Sequence, residues 1–194
     1  MNFREISIIK HKEIQLDTIL YYPQVRDLCH YPYPDHPQGC PNIEKCRKST
    51  VPYFKYLVKQ GNYTRFYLVY ILINFKKYLE IRQIQNPEFF NSERKLKCLI
   101  YWQNSIKSIL KDYFERLHEV GNKFYVLGCG SGFSLSFQKV VSSMENVCIN
   151  VFSTLKINKI PFEIKPINKI KLCNLLLSKE EINFNKKIIQ QTLF

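Results

Sequence analysis

The sequence predicts an α+β fold: a single domain in which a small mixed sheet is flanked by helices and carries a Pro/Cys-rich loop at one end. Three observations predict it. Residues 63–73 (YTRFYLVYILI) form an apolar run, continuous from Phe66, rich in aromatic and β-branched side chains, as expected of a strand buried on both faces. Residues 92–119 repeat apolar side chains at three- and four-residue steps, from Leu96 through Leu99, Ile106, Leu110 and Phe114 to Leu117, which is the period of a long helix. Residues 29–46 (CHYPYPDHPQGCPNIEKC) hold three cysteines, four prolines and one glycine, with almost no aliphatic side chain. Proline fixes φ and removes a backbone donor, so this segment is neither a helix interior nor a central strand.

Taken in order, residues 6–9 are a short apolar run suited to an edge strand. Between residues 12 and 28, Ile14, Ile19, Leu20, Val25 and Leu28 suit one or two helical pieces interrupted at Pro23, which deliver Cys29 at a helix end. Thr50 and Pro52 suit the cap and first turn of a short helix through about Val58. Gly61-Asn62 makes a turn into the central strand. A helix over 74–85 stops at Asn86-Pro87, and the long helix ends at Gly121. Residues 123–127 (KFYVL) predict a second core strand that runs into Gly128-Cys129-Gly130-Ser131-Gly132, where the backbone can turn sharply. A helix over 142–158 places Met144, Val147, Cys148, Val151 and Leu155 on one face. Residues 161–164 and 169–177 read as a hairpin around Pro166-Ile167-Asn168. The polar, lysine-rich tail, 179–194, suits a terminal helix. No internal repeat or linker divides the chain, so 1–194 is read as one domain.

Charge appears early, in Met1-Asn2-Phe3-Arg4-Glu5, and no apolar leader follows, so a signal peptide is not expected. The longest uninterrupted apolar run, 66–73, is far shorter than a membrane span needs. Seven cysteines without an export signal predict reduced thiols in the cytoplasm better than a disulfide framework. The formal net charge of +13 points to an acidic partner such as nucleic acid. Lysine outnumbers arginine 22 to 7, however, and arginine is the better bidentate reader of phosphate and guanine.

The chemistry concentrates in thiolates. Cys29-x10-Cys40-x5-Cys46 lacks the tight C-x2-C knuckle of structural zinc. Iron–sulfur clusters accept wider spacing, because their ligands reach around a larger object. Three loop cysteines with Cys129 as fourth ligand would complete a [4Fe–4S] site. Without Cys129 one iron is left open to a substrate or sulfide. Adding His36 to the three loop cysteines instead gives a closed Cys3His zinc site. Cys98, Cys148 and Cys173 fall in predicted helices and a strand and read as structural. His30 reads as a solvated or backbone-bonded side chain, and no Ser/His/Asp order or carboxylate pair stands out. The Gly128–Gly132 run is similar to the glycine-rich turn of S-adenosylmethionine methyltransferases, but residues 123–127 contain no acid to orient that cofactor. Only 62 residues follow Gly132, too few to complete a doubly wound sheet.

Several segments together carry a family resemblance. Residues 25–40 (VRDLCHYPYPDHPQGC), continued by Pro41-Asn42, resemble the cysteine loop of a family of small prokaryotic and phage proteins called predicted metal-binding. Residues 67–70 followed by Asn86-Pro87, and then 98–105 (CLIYWQNS), look like that family's strand, turn and helix. Ser143-Met144-Glu145, Ile149-Asn150-Val151 and Ile160-Pro161-Phe162-Glu163 are similar to its C-terminal helix and strand. The resemblance spans roughly residues 20–177, and the HP-x-GCPN and YWQ-x-S stretches are its most specific parts. It implies a cysteine-ligated, iron–sulfur metal centre and no established reaction. Cys46 departs from it, being followed by Arg47-Lys48 where members carry Pro-Pro. After the second core strand this chain offers Cys129 alone, where relatives often carry two or more cysteines.

The expected function is therefore the binding of a [4Fe–4S] cluster through Cys29, Cys40, Cys46 and Cys129, with a redox or sulfur-handling role. An open iron would act as a Lewis acid; a fully ligated cluster would favour electron transfer or a structural role. The alternative is a zinc-stabilised basic module that binds nucleic acid or protein, stacking bases on Tyr31 and Tyr33.

Overall fold

A four-stranded antiparallel sheet organises the chain. The computed structural model describes residues 2–32, 37–39, 53–93, 104–128, 134–163 and 166–184. The first strand, β1 (Ser7–Ile14), lies at a sheet edge, burying Ser7, Ile9 and Ile14 and exposing Lys10 to Glu13. Helix α1 (Phe54–Gly61) buries Phe54 and Leu57. It turns into β2 (Arg65–Asn74) through Gly61 and Asn62. A Cβ on Gly61 would stand 2.0 Å from the Tyr63 ring. Asn62 takes φ 49, a left-handed conformation that asparagine tolerates.

Asn74 caps α2 (Phe75–Gln85), its side chain accepting a hydrogen bond from the Lys77 amide. Helix α3 (Asn104–Glu119) follows, and Gly121 stops it with φ 97. The chain then forms β3 (Tyr125–Leu127), α4 (Val151–Ile157) and β4 (Lys169–Ser178). The strand order is β1-β2-β4-β3. Strand β2 is bonded on both sides, with its Phe66 opposite Ile14 of β1 and its Arg65 opposite Ser178 of β4.

The alternation of β2 divides the interior into two cores. On one face Tyr67, Val69, Ile71 and Ile73 pack with Tyr78 and Ile81 of α2, and with Ile106, Leu110, Tyr113, Phe114 and Leu117 of α3. On the other face Phe66 and Leu68 join Leu175 and Leu177 of β4, Phe54 and Leu57 of α1, Leu155 of α4, and Met144, Val147 and Ile149.

The α+β fold expected from the sequence is the fold observed, with a central strand and a 3.6-period helix where predicted. The differences are local. The ladders are all antiparallel, whereas a mixed sheet was expected; the sole parallel pairing among the described residues is the isolated bridge Gly128–Ser143. Strand β1 extends to Ile14, so residues 12–14 are strand, not helix. Strand β3 has three residues and sits at the other edge. The predicted helix over 142–158 is two pieces, a 3-10 turn Glu145–Val147 and α4. Cys148 between them has φ 70, which no right-handed helix contains. Among the described residues, 161–163 are not strand, so the predicted hairpin before β4 is not seen there, and 181–184 are not helical. The predicted cap Thr50, the first-turn Pro52 and residues 94–103 of the predicted long helix lie outside the described residues.

Candidate metal centre

The segment that leads into the cysteine loop is a 3-10 helix, Pro23–His30, with Cys29 in its last turn. Cys29 is placed by its backbone. Cys40, Cys46, Cys129, Cys98 and His36 lie outside the described residues, as does Tyr33. Within the loop, Gly39 has φ 88, which accounts for glycine immediately before Cys40. His30 and Tyr31 are exposed.

The flanks of the two cysteine-bearing stretches meet on a single irregular segment, residues 142–149. On one side of it stands Gly128, the residue before Cys129. The Gly128 amide donates to the Ser142 carbonyl at 2.7 Å, and the Met144 amide donates to the Gly128 carbonyl at 3.1 Å. On the other side runs the approach to Cys29. The Tyr22 amide donates to the Cys148 carbonyl at 2.9 Å, and Tyr21 forms an antiparallel bridge with Ile149. The Arg26 Nε donates to the Asn146 carbonyl at 2.6 Å. Ser143, the bridge partner of Gly128, and Asn146 are three residues apart, so their Cα atoms are at most roughly 11 Å apart. Cys29 follows Arg26 by three residues, one turn of a 3-10 helix, a rise of about 6 Å.

This segment is held by buried polar side chains. The Asn146 Nδ2 donates to the Ser142 Oγ at 2.7 Å, and the Ser143 Oγ accepts from the Asn146 amide at 3.1 Å. Ser142, Ser143 and Asn146 are all buried. Glu145 lies among them, and its Oε2 is buried with no hydrogen-bond partner among the described residues. Burial pushes its carboxyl above the usual carboxylate range, against the opposing effects of its own backbone amide, the Ser143 hydroxyl and the Lys107 ammonium of α3.

Cys148 and Cys173 are both buried cysteines. Cys173 packs in the core shared with Leu175 and Leu177, in keeping with a structural role. Cys148 is also buried, yet it is not on a helix face. Burial pushes its thiol up, while Arg26 and a hydrogen bond with the Tyr21 hydroxyl pull it down. Its position against the approach to Cys29 was not legible from helical periodicity.

Among the described residues no three His, Cys, Asp or Glu side chains gather as a metal-binding group. The donor set of Cys29, Cys40, Cys46 and Cys129 is chemically suited to iron–sulfur ligation, four thiolates being the usual complement of a [4Fe–4S] cluster. Among the described residues no helix is long and apolar enough to cross a membrane. Compared with protein-family models, curated proteins and solved structures, the chain matches none.

Proposed function

We propose that this protein binds a thiolate-ligated metal cluster, a [4Fe–4S] cluster, through Cys29, Cys40 and Cys46, with Cys129 as fourth ligand. One observation carries the reading. The backbone before Cys129 and the backbone before Cys29 are hydrogen-bonded to the same short segment, residues 142–149. Two stretches far apart in sequence are thus anchored side by side, as a shared set of ligands requires. The proline-rich composition of the loop supports it further, because a stiff segment loses less conformational entropy when its thiolates converge.

When bound, such a cluster supplies one-electron redox chemistry, or Lewis acidity where one iron lacks a protein ligand. The chain's part is to hold the thiolates and limit water around them. The basic surface would suit an acidic redox partner or substrate, and the reaction class follows from how many thiolates are bound.

Anaerobic purification with iron, sulfide and zinc quantified, together with an absorption spectrum, tests the proposal. Matching iron and sulfide with a broad band near ~400 nm is expected for thiolate-ligated iron–sulfur. Cys29→Ala should abolish it. Loss in Cys129→Ala as well marks a fully ligated cluster, and retention marks an open iron. Zinc in stoichiometric amount without sulfide, or no metal at all, sinks the iron–sulfur reading.

A further inference from the structure

A second feature lies on the same side of the sheet and uses none of these cysteines. The segment 15–22 and helix α1 enclose an open groove of about 800 Å³, lined by Leu16, Ile19, Tyr21, Tyr22, Lys55 and Val58 among others. Tyr21 and Tyr22 line the groove itself, and further tyrosines are exposed in the same stretch of chain. Among the described residues, the well-exposed tyrosines are Tyr22, Tyr31, Tyr53 and Tyr56, all between positions 22 and 56. A tyrosine ring held in water leaves a flat apolar face unused.

The rings sit with cations. Tyr21 and Tyr53 meet edge-on with centroids 6.5 Å apart. The Lys55 ammonium lies 5.5 Å from the Tyr21 centroid, and the Arg26 guanidinium 4.6 Å from that of Tyr53. Arg26 is also tied to the Asn146 carbonyl. Helix α1 contains no acid, and Lys59 follows Lys55 by one turn on the same side. Among the described residues, Asp17 is the sole acidic side chain lining the groove.

Exposed aromatic faces beside lysines, with little opposing acid, match one kind of occupant. Unpaired bases offer flat apolar faces of their own, and the backbone that joins them is anionic. An acidic peptide would use the lysines and leave the rings idle; a duplex would hide its bases. We propose that this groove binds single-stranded nucleic acid, with bases stacked on Tyr21, Tyr22 and Tyr53 and phosphates on Lys55 and Lys59. The site goes beyond the metal centre and does not depend on it.

Fluorescence anisotropy of the purified protein with labelled twelve-nucleotide strands tests this, using oligo-dT and oligo-U as separate arms to distinguish DNA from RNA. Either single strand should bind more tightly than a duplex of equal length. Tyr22→Ala and Tyr53→Ala should each weaken binding about tenfold, the scale of one lost stacking contact. The pair Lys55→Gln and Lys59→Gln should lower the slope of log affinity against log salt by about 1.4, the release from two phosphates of a single strand. Lys76→Gln with Lys77→Gln, on α2 across the sheet, controls for net charge and should change affinity much less. The proposal fails if the duplex binds as well, if the α2 pair matches the α1 pair, or if a poly-glutamate peptide displaces the strand at equal concentration. It also fails if Tyr22→Ala and Tyr53→Ala, with unchanged thermal melts, bind as the parent does.

Discussion

The two faces of the sheet are built differently. One is covered by α2 and α3, whose apolar stripes meet Tyr67, Val69, Ile71 and Ile73 in a cluster dominated by large side chains. The other is covered by short helices, 3-10 turns and the irregular segment 142–149, and it buries Ser142, Ser143, Asn146, Thr154 and Asn158 beside its apolar core. Polar groups inside a core add little net stability but fix geometry, because each one left unpaired is costly. The difference teaches where the molecule spends order. The helical face stabilises the sheet, and the irregular face holds backbone segments at defined positions, including the approaches to Cys29 and Cys129.

The sharpest way to break this comparison is to damage each face in turn. Phe114→Ala empties a fully buried site on the helical face and should cost about 3–5 kcal/mol, read from urea unfolding. The fraction that remains folded should keep its metal. Asn146→Ala should cost less, about 1–3 kcal/mol, by leaving the Ser142 hydroxyl without its partner. Its metal content after anaerobic purification should nevertheless fall. If Phe114→Ala releases metal and Asn146→Ala does not, the division of labour is wrong.

The smallest expected effect separates the faces by pH. Each has one buried oxygen with no hydrogen-bond partner among the described residues, the Tyr113 hydroxyl on α3 and Glu145 Oε2 in segment 142–149. Tyr113→Phe should raise stability by about 1 kcal/mol, equally at pH values of roughly 5 and 8. Glu145 behaves otherwise. Its carboxyl pKa is raised in the folded state, chiefly by burial, so the folded protein binds that proton more tightly than the unfolded chain. The stability it contributes is present below the ordinary carboxylate range and is lost as pH rises through the folded value. Glu145→Gln should therefore stabilise the protein at neutral pH and flatten that slope in melting temperature. An unchanged slope would mean that Glu145 is hydrated in solution.

The helical face was legible in the sequence; on the irregular face helix α1 was legible and segment 142–149 was not. Strand β2 announced itself because a strand buried on both sides needs apolar residues at every position. Helix α3 did so because its stripe follows the helical period. Residues 142–158 carry the same period, yet Cys148 at φ 70 breaks the helix. A 3-10 turn and α4 both direct apolar side chains into one cluster, so the spacing imitates a continuous helix. A signal for the break was present in Asn150, whose side chain caps α4 by accepting from the Ser153 amide. Strand β1 was cut short because its exposed Lys10-His11-Lys12-Glu13 stretch offers one buried residue at each end and none between. The anchoring of Gly128 and Tyr22 had no sequence signal, since backbone groups of irregular segments make those bonds. Of the candidate ligands, Cys29 is described through its backbone and the other three lie outside the described residues.

The position of β2 between β1 and β4 has a consequence during synthesis. The hydrogen-bonding edge that β2 turns towards β4 stays unpaired until β4, which begins at Lys169, has been made. At translation speeds of about 5–20 residues per second the wait lasts on the order of ten seconds. For that time an aromatic strand has β1 on one side and lacks its partner on the other. Overproduction at high temperature should then yield inclusion bodies seeded by that ribbon, and slower elongation or a holding chaperone should rescue yield.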